Sequence, residues 1–469
     1  MTTVDVESLA PAGPELDADA VARTYANDRA HVFHSWSAQG ALDPMVVTGA
    51  NGSWVWDGSG RPLLDFSSQL VNTNIGHQHP KVVAAIQAQA GQLCTVAPQH
   101  ANDMRSEAAR LIVQRAPGTD LNHVFFTNAG AEAIEHAVRM ARLHTGRRKV
   151  LTRYRSYHGG TQTAVAMTGD PRRWANDTGT EGVVHFFGPF TYRSVFHAQD
   201  DEQECARALE HLEQVVQLEG PATIAAIVLE TIPGTAGIMV PPPAYLAGVR
   251  EICDRYGICW IADEVMCGFG RSGAWFAVDH FTDASGAPLV PDLMTFAKGV
   301  NSGYVPLGGV IVSDAVYETF RERVYPGGLT YSGHPLACAA AVATLTAMAD
   351  EGIVENAARI GADVLGPGLL ALQERHPVIG EVRGLGVFWA LELVRDRQTH
   401  EPLVPYNASG AAAAPMNALV GACKRRGLLP FVNMNRLHVV PPCTVSADEA
   451  RLGLSLLDEA LSELEAAHL

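Results

Sequence analysis

The sequence predicts an α/β chain: a large domain on a mostly parallel sheet and a smaller mixed domain made from both chain ends. Three observations carry this. Short β-branched runs alternate with helix-period segments through the middle of the chain. Helical stretches fall between those runs, as crossovers between parallel strands require. The chain has 469 residues, 47% of them hydrophobic, which is ample for one large core and a second one beside it.

The elements follow in order. The start, MTTVDVESLAPAGPELDADA, is acidic, lacks a basic n-region and an apolar h-region, and reads as a loose arm over 1–25. SWVWDGSGRPLLDF (53–66) reads as a hairpin around Asp57-Gly58, inside an N-terminal part of the small domain at 26–75. The large domain, 76–345, takes its strands from HVFFT (123–127), KVLT (149–152), GVVHFF (182–187), IAAIVLE (224–230), ICWIAD (258–263), LMTFA (293–297) and GGVIV (308–312). The helix AEAIEHAVRMARLH (131–144) puts Ile134, Ala137, Val138 and Ala141 on one stripe, and further helices are expected near 201–218 and 243–256. From Pro335 to about residue 374 the pattern is helical. The C-terminal part of the small domain, 346–469, then adds strands around GEVRGLGVFWALELV (380–394) and RLHVVPP (436–442). A last helix starts near Ser446, where Ser446 and Glu449 have capping-box spacing.

The totals exclude several function classes. A formal charge of -16 disfavours nucleic acid and anionic membrane surfaces, and no apolar run is long enough to span a bilayer. The eight cysteines form no CxxC pair, and Cys94, Cys253, Cys259 and Cys338 are expected to be reduced core thiols. A cytoplasmic enzyme fits this balance; an interaction scaffold also does.

Chemically unusual residues fall at predicted strand ends, where parallel sheets bind ligands. Lys298 follows the apolar run Leu293–Ala297 and precedes a glycine; a snorkelling lysine is the ordinary alternative. Asp263 and Glu264 close ICWIAD, where a buried carboxylate needs a cation or a protonated ring nitrogen, unless it caps a helix or forms a salt bridge. TNAGAEAIE (127–135) is a strand, a small-residue turn and a helix start, so Gly130 and Ala131 offer bare N–H groups to a phosphate. YRSYHGG (154–160) brings Tyr157 and His158 to a strand end, either to stack on a flat ring or to lid the core. A lysine, an acid and a phosphate cradle together suggest pyridoxal 5'-phosphate. Lysine holds its aldehyde as a Schiff base, and the acid keeps its ring nitrogen protonated.

From about Trp36 to the C-terminus the chain resembles the class III, or omega, aminotransferases, within the fold type I pyridoxal phosphate enzymes. DEVMCGFGRSG (263–273), TFAKGVNSGYVPLGGV (295–310) and GLTYSGHPLACAA (328–340) carry the resemblance. It implies that Lys298 is the Schiff-base lysine and that Asp263 pairs with the pyridine nitrogen. It further implies that Val265 packs under the ring, Tyr157 stacks over it beside His158, and Gly130 and Ala131 hold the phosphate. Thr330 matches a residue that reaches the phosphate of a neighbouring subunit, which implies a homodimer or a dimer of dimers. Two positions depart from the family pattern. Ala129-Gly130-Ala131 lacks the usual hydroxyls of the phosphate turn, and Met266 stands where many members place a glutamine.

For substrate, the resemblance implies Trp36, Glu230 and Arg383. Arg383, in VRGLG, would grip a carboxylate or sulfonate by two bonds. Glu230, in LETIPG, is expected to cover Arg383 when the donor has no α-carboxylate and to release it for the 2-oxo acid; a static Glu230–Arg383 pair is the alternative. GABA and ornithine aminotransferases have an arginine where this chain has Gly160, and HVFHSWSAQGALDP and NRLHVVPPCT look most like taurine–2-oxoglutarate aminotransferases. Arg155 and Arg436 are candidates for a second anion site. The expected activity is ping-pong transfer of an amino group from a primary amine or ω-amino acid to 2-oxoglutarate or pyruvate. An aminomutase, a decarboxylase and a non-catalytic binding protein of the same fold are the alternatives. GFGRSG (268–273) matches a dinucleotide motif, but Asp263 and Glu264 precede it and no helix opens after it. His77 and His79 lack an evident third ligand, so no metal is expected.

Overall fold

The computed structural model describes residues 6–176 and 181–468. A seven-stranded sheet is its centre. Across the sheet run Leu121–Thr127, Gly308–Ser313, Leu293–Phe296, Cys259–Asp263, Ile224–Glu230, Lys149–Arg153 and Val183–Phe186. Gly308–Ser313 is antiparallel to both its neighbours; the other pairings are parallel. All the other strands therefore end at one edge, and the register sets Glu230 opposite Asp263, and Asp263 opposite Thr295.

Every residue of Ile224–Glu230 and of Cys259–Asp263 is buried, because both faces are covered. On one face Ala226, Val228 and Ile261 meet the Gly130–Thr145 helix through Ile134, Ala137, Val138 and Ala141, the stripe read from the sequence. On the other, Ile227, Leu229, Trp260 and Phe296 join the main core with the helices Asp201–Glu219, Tyr245–Tyr256 and Pro335–Asp350.

The chain ends do meet. Trp54–Asp57 and Pro62–Asp65 form the expected hairpin, and Leu428–Leu429 adds to it in parallel. A second small sheet joins Ile379–Leu385, Phe388–Asp396, Arg436–Val439 and Phe431–Asn433. The last helix, Ala447–His468, starts at a reciprocal cap: Glu449 N donates to Ser446 Oγ (3.2 Å), and Ser446 N donates to Glu449 Oε2 (2.8 Å). Glu449 Oε1 also accepts from Trp54 Nε1 at 2.7 Å, which ties that helix to the N-terminal hairpin.

Three expectations are corrected. The arm over 1–25 is partly helical, with Val6–Leu9 set against the core and Ala18–His31 capped by Asp17. The helical stretch after Pro335 is broken at Glu351-Gly352, where Gly352 takes φ 62°, and contains a π-turn at Gly361–Leu365. Cys94 is exposed, while the other seven cysteines are buried; all eight are free thiols. Among the described residues, no single helix is long and apolar enough to cross a membrane.

Candidate active site

Strand ends build the floor of the site. Leu293–Phe296 stops at Ala297, and Lys298 turns the chain with φ 44°. A left-handed lysine costs about 1–2 kcal/mol, and such strain persists where surroundings over-determine it. Lys298 faces a cavity of about 580 Å³, a size suited to a cofactor with its substrate. Burial lowers the Lys298 ammonium below its ordinary pKa, against the pull of Asp263 and Glu230.

Asp263 ends the neighbouring strand. Its Oδ2 lies 2.7 Å from His158 Nδ1, and its Oδ1 accepts from Val265 N (3.0 Å) and Thr295 Oγ1 (3.2 Å). A carboxylate accepts about four hydrogen bonds, so one place is left for a donor in the cavity. Burial pushes the His158 imidazole down, but Asp263 outweighs it and the group titrates above its ordinary value. His158 Nε2 stands 3.2 Å from Thr152 Oγ1, which fixes the ring from behind.

The opposite wall is the start of the Gly130–Thr145 helix. No side chain caps it, so its first N–H groups face an outside acceptor at the positive end of a 16-residue helix. A side chain at Gly130 would come within 2.8 Å of Val265 Cγ1, so only glycine lets helix start and cofactor floor approach this closely. Tyr157, Gly159, Gly160, Glu230, Met266 and Thr235 are among the other residues that line it.

These residues fit pyridoxal phosphate. A depressed lysine, a carboxylate with one acceptor position open and an uncapped helix start stand around one cavity. Gly130, Ala131, Tyr157, His158, Val265, Asp263 and Lys298 are brought together as the sequence implied.

Three predicted residues, Thr330, Trp36 and Arg383, line no part of this cavity. Thr330 and Trp36 are exposed, Trp36 by 68%. Glu230 is not paired with Arg383. Its oxygens accept from Tyr157 N and Gly234 N, both at 2.9 Å, so the neighbouring backbone already holds it. Arg383 instead pairs with Glu381 and, at 2.7 Å, with Glu392, while its Nε donates to Gly237 O at 2.5 Å. The static Glu230–Arg383 pair is therefore absent from this arrangement.

Sequence reading also missed Thr295, Thr235 and the Arg383 partners. A signal for the last was present: Glu381 and Arg383 share a strand face by the period of two, and the hairpin register sets Glu381 opposite Glu392. Of the rival motifs, GFGRSG is a run of turns, with no helix before Ala277 and with Arg271 buried against Pro441 O and Asn74. His77 pairs with Asp65 and His79 with Glu351; among the described residues, no group of three or more His, Cys, Asp or Glu is arranged to hold a metal.

Residues 36–461 match the family model described as Aminotransferase class-III. The chain belongs to the class III aminotransferases. Its cofactor is pyridoxal phosphate, and its reaction is transamination. This aminotransferase is 35% identical over 467 residues to a taurine–pyruvate aminotransferase of Rhodobacter capsulatus, covering 94% of this chain and 97% of that one. It is 34% identical to a 5-aminovalerate aminotransferase of Pseudomonas aeruginosa, over 91% of this chain and 95% of the other. Among solved structures, taurine:2-oxoglutarate aminotransferase from Bifidobacterium kashiwanohense, in complex with PLP and glutamate, superposes with a TM-score of 0.91 at 37% identity. That match covers 97% of this chain and 100% of the other.

Proposed function

We propose that this aminotransferase takes its amino group from a primary amine or ω-amino acid of the taurine or β-alanine type and delivers it to a 2-oxo acid. The observation that carries the reading is a half-buried, easily deprotonated Lys298 that shares one cavity with Asp263 and Glu230, with Arg383 on the small sheet as the anion grip. Gly160, exposed with open space where a side chain would be, supplies no cation itself; the guanidinium carbon of Arg172 lies 3.6 Å from the Tyr157 ring centre. Relatives named for taurine and 5-aminovalerate support a donor whose amine is remote from its acid.

The chain's own residues divide the work. Pyridoxal phosphate, when bound, supplies an electron-accepting ring. Asp263 would hold the proton on its ring nitrogen, and His158 and Thr295 keep that carboxylate in place. Lys298 Nζ takes the proton from the donor's amine-bearing carbon, and returns one to the acceptor's carbon in the second half-reaction. Gly130 and Ala131 would hold its phosphate by backbone N–H groups, without hydroxyls. Glu230 positions Tyr157 through the 2.9 Å bond to its amide.

The reading includes a homodimer, or a dimer of dimers, in the cytoplasm, with Thr330 serving the neighbouring subunit's site. A panel of amines and oxo acids tests the whole. Donor alone should bleach the cofactor's yellow colour and release one oxo product, and acceptor should restore it. Colour unchanged by taurine, β-alanine and 5-aminovalerate would refute the donor class. A decarboxylated or rearranged product would favour the related cofactor chemistries instead.

A further inference from the structure

The far end of the Gly130–Thr145 helix opens on a second concavity, which the reaction does not use. Its volume is about 700 Å³. Arg142, Arg147, Arg148, Lys149 and Arg323 line it, and Glu181 is the carboxylate of that lining. A helix of 16 residues is about 24 Å long, so this pocket is separate from the phosphate cradle at Gly130. Across the whole chain acids outnumber lysines and arginines by 50 to 34; here the balance is reversed.

The cations arrive from three segments. The last turn of the helix supplies Arg142. Gly146, left-handed at φ 69°, then turns the chain into Arg147, Arg148 and Lys149, where the next strand begins. Arg323 comes from the loop after Asp314–Glu318. Cations suit a helix C-terminus, and part of their hydrogen bonding is spent on carbonyls there. Arg142 Nε donates to Arg148 O (2.8 Å), Arg323 Nη1 to Leu143 O (3.3 Å), and Arg147 Nη1 to Tyr256 O (3.0 Å) and Gly257 O (2.7 Å). Lys149 pairs with Glu219 at 2.6 Å.

Those carbonyl bonds fix the guanidiniums without neutralising them. A guanidinium carries five N–H donors. Arg142 and Arg323 each spend one, and the Arg148 side chain spends none; among the described residues, none of the three pairs with a carboxylate. Burial lowers the Arg142 pKa below its ordinary value, so its charge is held partly out of water.

We propose that this pocket binds a polyphosphate chain, free or carried by a nucleoside, with Arg142, Arg148 and Arg323 as its grip. Guanidiniums take phosphate oxygens by paired bonds, and three of them around one hollow match several phosphoryl groups better than a single carboxylate. The lining holds no aromatic ring on which a base could stack, so the phosphates are what is recognised. Nucleic acid needs a longer basic track, and Glu181 and Glu219 bound this one. The pocket shares no residue with the active site, so the proposal stands apart from the donor reading.

The test uses holoenzyme, whose phosphate cradle is already filled, at about 0.15 M salt, where long-range attraction is screened within about 8 Å. Calorimetric titration with tripolyphosphate, without magnesium, should find one site per chain with a Kd of about 100 μM or tighter. ATP should bind within about threefold of that, since its base finds no partner. Arg142→Gln and Arg148→Gln should each weaken tripolyphosphate binding by about 10-fold or more. Arg451→Gln, which removes the same charge from the last helix, should change it by less than about twofold. Wild-type enzyme that shows no saturable binding overturns the proposal without any variant, so misfolding cannot hide the answer. An equal loss in Arg451→Gln and Arg142→Gln, both with wild-type circular dichroism, overturns it as general charge attraction. ATP bound about 10-fold or more tighter than tripolyphosphate would overturn recognition by phosphates alone. A single-stranded oligonucleotide that displaces tripolyphosphate at equal phosphate concentration would make the face a nucleic-acid surface and overturn it too.

Discussion

The floor of the site and its arginine rim are built in opposite ways. The floor comes from consecutive strand ends of one buried sheet. Glu230, Asp263 and Thr295 are fixed by register, and each polar group is held by a neighbour one or two residues away in space. The rim, made of Arg155, Arg193, Arg383 and Arg436, comes from a loop after Lys149–Arg153, a 3-10 turn at Thr191–Arg193, and two strands of the small sheet. Its side chains are long, its partners are other charges, and two of its buried N–H groups have no acceptor. The contrast teaches that reaction type is written into backbone geometry, while choice of substrate is left to side chains that shift without disturbing the sheet.

If that contrast is right, floor variants should fail in every reaction. Lys298→Ala should lower turnover with any donor by at least about a thousand-fold, since Lys298 is the base proposed for proton transfer at the substrate carbon. Amine-to-oxo-acid turnover under saturating cofactor measures it. Asp263→Asn should cost about 100- to 1000-fold, because a neutral amide does not hold the ring nitrogen's proton; cofactor absorbance and kcat together read it out. A drop under tenfold would place the electrostatic control elsewhere.

Rim variants should fail selectively. Arg383→Gln should reduce kcat/KM for the 2-oxo acid by about 10- to 100-fold, the worth of a charge-assisted bidentate bond. The loss for a primary amine without a carboxylate should be under about threefold. Equal losses in both half-reactions would erase the distinction between floor and rim.

The smallest effect concerns stability. His158 gains Asp263 on folding, and its pKa rises above 6.5. A group raised on folding contributes stability that is fully present below its unfolded pKa and fades as pH climbs through the folded value. His158→Gln should therefore lower Tm more at pH 6 than at pH 9. A larger loss at pH 9 would mean that the Asp263–His158 contact is not charge-assisted.

The same division explains what could be read in the sequence. Seven strands of the central sheet were legible because apolar runs covered on both faces are continuous, and the Gly130–Thr145 helix because its stripe repeats at the helical period. Lys298, Asp263 and Gly130 were legible because strand ends are where such residues become chemically odd. The pairing of Arg383 was not. Its acids, Glu381 and Glu392, are reached across a hairpin, and Glu230, the acid expected there, is consumed by the amides of Tyr157 and Gly234. Which of several nearby carboxylates an arginine takes depends on backbone donors that no side-chain pattern records. The place of Arg193 was equally hidden, since only the folded chain brings it beside Phe190 and Glu392.

The most direct measurement is reductive trapping. Borohydride added to enzyme with pyridoxal phosphate, followed by peptide mapping, should leave the pyridoxyl group on Lys298 alone. A label on another lysine, or none in protein that binds the cofactor, would contradict the assignment on which the floor, and with it the chemistry, rests.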